Sequence, residues 1–374
     1  MEHTNERAPM TTAETITTVL RAAGHTGITT LLWGAPGTGK TALVNALAEA
    51  NDALCETVLG VVREPTDFSG LPIPTETSFR LAPPDWAERL HEAGHGVLFL
   101  DELSTAPPAV QAAMLGVVFD HKVGDLALPS DVQVIAAANP PDQAAGGFQL
   151  SPPMANRLLH IDYSPPVLEW VSGVVTDFPI APPRWVGVPN KTAQRVARAD
   201  IAAFIRTRPE LLDACPRDPA QAGLAWPSRR TWTMSADILA VLDPTDDDAR
   251  LLATAGLVGE GAAAEYFAWS RTGDLPDPAD VVTDPNHVAW ADLEASRAFA
   301  VLAAVIAHTT APGTIEPWRS AWKVLAIAAE AGLADLAALH AHSLIATRPR
   351  SARPPREART FSKILTDAGL MGAN

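Results

Sequence analysis

A chain of 374 residues, 47% hydrophobic and 19% charged, buries a large core and is long enough for more than one domain. Its net charge of -15 argues against a partner held mainly through nucleic-acid phosphates, which calls for a basic face. Two cysteines, Cys55 and Cys215, lie far apart in sequence and suit a reducing compartment without a disulfide framework.

Residues 1–7 are polar and carry acids, unlike a signal peptide, and residues 1–10 read as a disordered leader. No apolar run approaches membrane-spanning length, the best being Phe299 to Ile306, so no membrane span and a cytoplasmic location are expected. Residues 12–23 read as a helix with Ile16, Val19, Leu20 and Ala23 on one face. Residues 28–33 are β-branched and apolar, a buried strand, and 42–48 read as the first turns of a helix. Between them stands Gly34-Ala35-Pro36-Gly37-Thr38-Gly39-Lys40-Thr41, which fits the phosphate-loop pattern G-x-x-x-x-G-K-[ST]. Glycines let backbone N–H groups turn inward around an anion, and the helix N-terminus adds partial positive charge. Lys40 is expected to reach the β- and γ-phosphates of a nucleotide and Thr41 to ligate Mg²⁺. A glycine-rich turn that only caps a helix is the plainer alternative.

Residues 53–62 read as a second strand, and the proline-broken stretch 63–81 as an inserted loop or hairpin. Pro84 opens a short helix ending in His91-Glu92-Ala93-Gly94-His95, a formal match to the zinc pattern H-E-x-x-H. That pattern needs both histidines on one continuing helix. Gly94 and Gly96 bracket the second, so a helix stop is expected and the metal site is the alternative. Val97-Leu98-Phe99-Leu100-Asp101-Glu102 reads as a buried parallel strand with acids at its C-terminal end, where open α/β sheets bind ligands. Asp101 suits Mg²⁺ held through water, and Glu102 suits the orientation or deprotonation of an attacking water. A strand ending in solvated acids is the other reading. A helix follows Ser104-Thr105-Ala106-Pro107-Pro108, with Val110, Met114, Val117 and Val118 inward, then a short hairpin at 122–129. Residues 132–139 form another buried strand, putting Asn139 beside Glu102 to contact a γ-phosphate or the attacking water, unless it only starts a turn before Pro140.

Residues 158–163 give a last short strand, Pro165-Pro166 opens a helix to about 174, and the prolines of 178–189 mark a linker to a second, mostly helical domain. Helices are expected there at 193–206, 231–242, 247–270, 294–308 and 318–340. In the last, Trp322, Leu325, Ala326, Ala329, Leu333 and Leu336 make one stripe, read as core. Residues 348–359 pack five arginines among prolines and read as disordered. Phe361, Ile364, Leu365 and Ala368 follow at helical spacing, suited to a docking helix or a frayed terminus.

A phosphate loop, Asp101-Glu102, a strand-end Asn139 and then Arg157 is the motif order of AAA+ ATPases. The chain resembles the MoxR branch and its dynein-related neighbours, over about residues 12–275. The pieces are Arg63-Glu64-Pro65-Thr66-Asp67-Phe68-Ser69-Gly70 before the second core helix, the hairpin, Ala138-Asn139-Pro140, and Pro152-Pro153-Met154-Ala155-Asn156-Arg157. Pro227-Ser228-Arg229-Arg230-Thr231-Trp232 resembles the family's sensor-2 segment, usually Ser-Pro-Arg. The resemblance implies an α/β P-loop NTPase (AAA+) fold, a three-layer core with a parallel sheet, then an α-helical lid and a further helical region. It puts the core at 11–180, the lid at 190–275, a helical extension at 276–346 and an Arg/Pro-rich tail at 347–374.

By that resemblance Gly34 to Thr41 (Gly34, Ala35, Pro36, Gly37, Thr38, Gly39, Lys40, Thr41) are Walker A, Asp101 and Glu102 Walker B, and Asn139 sensor 1. Arg157 is the arginine finger acting on a neighbouring subunit, and Arg230 sensor 2, with Arg229 open as the alternative because the arginine is doubled. A finger in trans implies a homo-oligomeric ring, typically six subunits, using ATP and Mg²⁺. The resemblance further implies a remodelling chaperone whose partner, in that group, is often a von Willebrand A-domain protein. The competing expectation is a nucleic-acid-linked motor or restriction-type NTPase subunit. The acidic charge opposes it, and Asn190-Lys191-Thr192-Ala193 lacks the Asp of the guanine motif N-K-x-D.

Overall fold

The computed structural model describes residues 12–140, 148–176, 178–271, 276–310 and 312–361. The leader at 1–10 and the docking positions Ile364, Leu365 and Ala368 lie outside the described residues. The chain forms two compact units: one runs to Val188 and resumes over Leu212–Ala264, the other comprises Pro189–Leu211 and the chain from Glu265 onward.

The first unit opens with α1 (Ala13–Thr26), capped by the Thr12 side chain and ended by left-handed Gly27. Then come β1 (Thr30–Trp33), α2 (Lys40–Ala50) and β2 (Leu54–Leu59). The proline-broken insert folds as α3 (Thr66–Ser69) and an antiparallel hairpin, β3 (Leu71–Pro74) with β4 (Phe79–Ala82). After it run α4 (Asp85–Ala93), β5 (His95–Asp101), α5 (Pro108–Asp120), the small hairpin β6 (Lys122–Val123) and β7 (Leu126–Ala127), and β8 (Asp131–Ala138). α6 (Pro152–Ala155), β9 (Leu159–Asp162) and α7 (Val167–Thr176) follow.

Five strands form one parallel sheet in the order β2-β5-β8-β1-β9. Leu31, Leu32, Leu98, Phe99, Leu100, Ile135 and Ala136 are fully buried, the continuous apolar runs of a sheet covered on both faces. All five C-terminal strand ends share one edge, so residues far apart in sequence meet there. Gly94, with φ of +75°, stops α4, and His95 starts β5. His91 and His95 thus stand on different elements, and the described residues contain no cluster of three metal-ligating side chains.

The chain continues through α8 (Lys191–Thr207), α9 (Pro219–Ala222), α10 (Arg229–Leu239), α11 (Asp247–Val258) and α12 (Glu260–Arg271). Within the stretch 190–275, α8 belongs to the second unit, whereas α10 and α11 belong to the first. There α11 packs on α1 and β9. A Cβ on Gly256 would stand 2.2 Å from the His160 carbonyl oxygen, so only glycine allows that approach. The single helix expected over 247–270 divides at Gly259, whose φ is +84°.

The second unit contains α8, α13 (Pro278–Thr283), α14 (Ala295–Thr310), α15 (Ile315–Ala328) and α16 (Ala334–Ala346). The helix expected over 318–340 is two helices, because Gly332 at φ +98° turns the chain between them. By length and composition Ile315–Ala346 passes for a membrane span. Its Trp318, Trp322 and Leu325 are instead fully or almost fully buried in the core of this unit with Val301, Leu302 and Leu344. The arginine-rich segment also differs from expectation. Over its described part, a turn at Arg356–Phe361 brings Phe361 to 0% exposure with its ring 6.1 Å from that of Trp322. One aromatic anchor outweighs the local composition.

Candidate functional site

The glycine loop leaves β1 between its two neighbours in the sheet. Gly34 N–H donates to the Ala138 carbonyl at 3.2 Å on the β8 side, and Tyr163 N–H to the Trp33 carbonyl at 2.6 Å on the β9 side. A Cβ at Gly34 would meet the Tyr163 carbonyl at 2.6 Å, and Gly39 opens α2 at φ +93°. The spacing read in the sequence thus has a steric cause.

Lys40 is the first residue of α2 and is 8% exposed. Its Nζ donates to the Gly34 carbonyl at 2.6 Å, the Ala35 carbonyl at 3.2 Å and Asn139 Oδ1 at 3.1 Å. Burial lowers the ammonium's pKa, while the charges of Asp101 and Glu102 pull it back up. Thr41 Oγ1 donates to Asp101 Oδ2 at 3.1 Å, and the other Asp101 oxygen accepts from Glu102 N–H at 2.9 Å. Glu102 follows β5 in the left-handed region at φ +57°, unusual for a residue with a side chain and often a mark of a functional turn. Lys40, Thr41, Asp101 and Asn139 therefore meet at one sheet edge, with Glu102 adjoining in sequence.

A hydroxyl and a carboxylate oxygen side by side are the hard donors that Mg²⁺ prefers, and a buried ammonium at a helix N-terminus suits a phosphate. The residues fit a nucleotide phosphate with its divalent cation. Beside α2, a cleft of about 40 Å³ is lined by Ile16, Leu43, Asp162, Tyr163, Pro165 and Glu169. Burial raises the pKa of both Asp162 and Tyr163, with Glu260 adding to the first and Glu169 to the second.

The two predicted arginines lie together over one ring. The Arg157 guanidinium stands 4.7 Å from the centre of the Phe119 ring and the Arg230 guanidinium 5.5 Å from it. Arg157 Nη1 donates to the Pro153 carbonyl at 2.6 Å. Burial lowers the Arg157 pKa, the like charge of Arg230 lowers it further, and Asp120 opposes both. Arg229 instead forms an ion pair with Asp213 and is 74% exposed. Among the described residues, neither Arg157 nor Arg230 hydrogen-bonds to the loop at 34–41 or to Asn139.

Sequence reasoning missed Phe119, which reads as one more apolar residue of α5, and the link between the two arginine segments. Ser228 Oγ donates to Asn156 Oδ1 at 2.8 Å while capping α10, so the residue before Arg157 is tied to the start of the helix bearing Arg230. A doubled arginine after a capping serine was the only available hint.

Residues 7–146 match the model of the sigma-54 interaction domain, an AAA+ domain. The match spans the phosphate loop, Asp101, Glu102 and Asn139 and ends before Arg157. Among solved structures, a crystal structure of a "putative ATPase" from Cytophaga hutchinsonii is similar at 17% identity and a TM-score of 0.42, covering 69% of this chain and 88% of that one. No curated protein matches. The fold is the P-loop AAA+ α/β type, with a parallel five-stranded sheet followed by a helical C-terminal region.

Proposed function

We propose that the chain is a MoxR-type ATPase that hydrolyses ATP in a ring of identical subunits, about six, to remodel a protein partner. The convergence of Lys40, Thr41, Asp101 and Asn139 at one sheet edge is the observation that supports it most. Gly34 to Gly39 would wrap the phosphates with backbone N–H groups. Lys40 would exchange its loop carbonyls for the β- and γ-phosphate oxygens, which are better acceptors for an ammonium. Thr41 would hold Mg²⁺ directly and Asp101 through water; the ion, when bound, neutralises charge on the β- and γ-oxygens. Glu102 would take the proton of the attacking water, and Asn139 would orient that water or the γ-phosphate. The cleft lined by Ile16, Leu43 and Tyr163 would take the base.

Arg157 would act across a subunit boundary as the arginine finger, and Arg230 would serve as sensor 2 on a γ-phosphate. Both guanidiniums gather on Phe119, so they can reach one γ-phosphate together. Positive charge delivered there neutralises what develops in the transition state, a contribution of roughly a thousandfold or more in turnover. The net charge of -15 favours a protein partner over nucleic acid. A von Willebrand A-domain protein is the candidate that the family resemblance suggests.

Two variants test the reading. Lys40→Ala should lose ATP binding, and Glu102→Gln should keep binding while turnover falls to a small residue of the wild-type rate. Wild-type turnover by Glu102→Gln would remove the water-activating role, and DNA-stimulated turnover in the native chain would favour a nucleic-acid motor.

A further inference from the structure

Phe119 is the penultimate residue of α5, whose buried positions are Val110, Gln111, Met114, Val117 and Val118. The residue is 53% exposed, so it contributes little to the core beneath. Its ring serves a different contact: the guanidiniums of Arg157 and Arg230 stand 4.7 and 5.5 Å from its centre. These distances lie within the reach of cation–π attraction, in which the negative face of the ring draws a cation.

Two guanidiniums sharing one ring repel each other, and something must hold them. Their backbones are fixed by the buried Ser228–Asn156 hydrogen bond of 2.8 Å, one residue before Arg157 and two before Arg230. Arg157 is further held by the Pro153 carbonyl at 2.6 Å, but no hydrogen bond joins its head to that of Arg230 among the described residues. Phe119 is the ring that both heads share among the described residues.

We propose that Phe119 is a positioning residue for the reaction, holding Arg157 and Arg230 as one preorganised cationic pair. The inference rests on the reading of those arginines as hydrolytic groups and assigns them a common support. Preorganisation matters because a donor already in place at the developing charge costs no rearrangement in the transition state. A flexible arginine pair would sample other rotamers and lower kcat, leaving the nucleotide pocket of its own subunit unchanged.

The test is steady-state ATP hydrolysis and nucleotide affinity of the full chain with Phe119→Leu, Phe119→Ala and Phe119→Tyr. Leucine keeps apolar cover and removes the ring, so it separates the cation–π role from simple packing. Phe119→Leu and Phe119→Ala should lower kcat by about tenfold with nucleotide affinity and thermal midpoint unchanged, and Phe119→Tyr should restore the rate. Arg157→Ala and the double variant with Phe119→Leu complete the cycle. If the ring acts through the arginines, Phe119→Leu costs less once Arg157 is gone, because only Arg230 is left for the ring to hold. Wild-type kcat in Phe119→Leu beside a crippled Arg157→Ala would sink the inference and leave the arginine reading standing. Wild-type turnover in Arg157→Ala would sink both.

Discussion

The indole N–H of Trp33 donates a 2.9 Å hydrogen bond to Nδ1 of His160. Nε2 of the same ring lies 2.9 Å from the Ala155 carbonyl and must therefore carry the proton. The two rings are stacked with centroids 6.1 Å apart. One neutral imidazole thus joins the residue before the phosphate loop to the turn that leads into Arg157.

That bond works only with His160 neutral, and burial pushes its pKa down to about 4 from the usual 6.5. Between those values the unfolded chain binds the proton and the folded chain does not, so stability is complete above pH 6.5 and falls as pH drops toward 4. The loss should reach about 3 kcal/mol in the first unit. His340 in the second unit, also held near 4 by burial, should add a similar acid sensitivity there. Urea unfolding at pH 7.5, 5.5 and 4.5 should show the decline, with His160→Gln flattening the part that belongs to the first unit. Equal pH dependence in wild type and His160→Gln would contradict the assignment.

Arg157 tests assembly and mechanism together. Arg157→Ala should leave its own subunit's nucleotide affinity intact and cripple hydrolysis in the adjacent pocket, by roughly a thousandfold. Mixed rings of Arg157→Ala and Glu102→Gln should recover part of the activity, since an intact Glu102 pocket on one can meet an intact Arg157 on the other. Subunit exchange is checked first by co-purifying two tagged forms. Exchange without rescue would falsify action in trans.

Phe361 anchors the arginine-rich segment. Removing a fully buried phenyl group from the second unit should destabilise that unit by about 3–5 kcal/mol. Phe361→Ala, and truncation after Thr347 still more, should lower the midpoint of the transition assigned to this unit in calorimetry. An unshifted trace for both would mean the segment is not part of that core.

What the sequence determined was local. The phosphate loop is legible because its chemistry lies within eight consecutive residues between a strand and a helix. Asp101, Glu102 and Asn139 are legible for a related reason: each ends an apolar run, and parallel strands must finish at a shared edge. Two histidines failed the zinc pattern at the sequence level because Gly94 stops a helix by backbone conformation alone.

Tertiary structure decided what depends on distance along the chain. Trp33 meets His160 across 127 positions, and no local pattern encodes that pairing. Arg229 pairs with Asp213 while Arg230 stands over Phe119, a difference in surroundings that two adjacent arginines do not show in sequence. Gly256 lets α11 sit against β9, and the arginine-rich segment is ordered through Phe361 because one buried ring fills a site built by other helices. Composition and periodicity report how each segment is inclined to fold, while burial against a distant partner fixes where it stays.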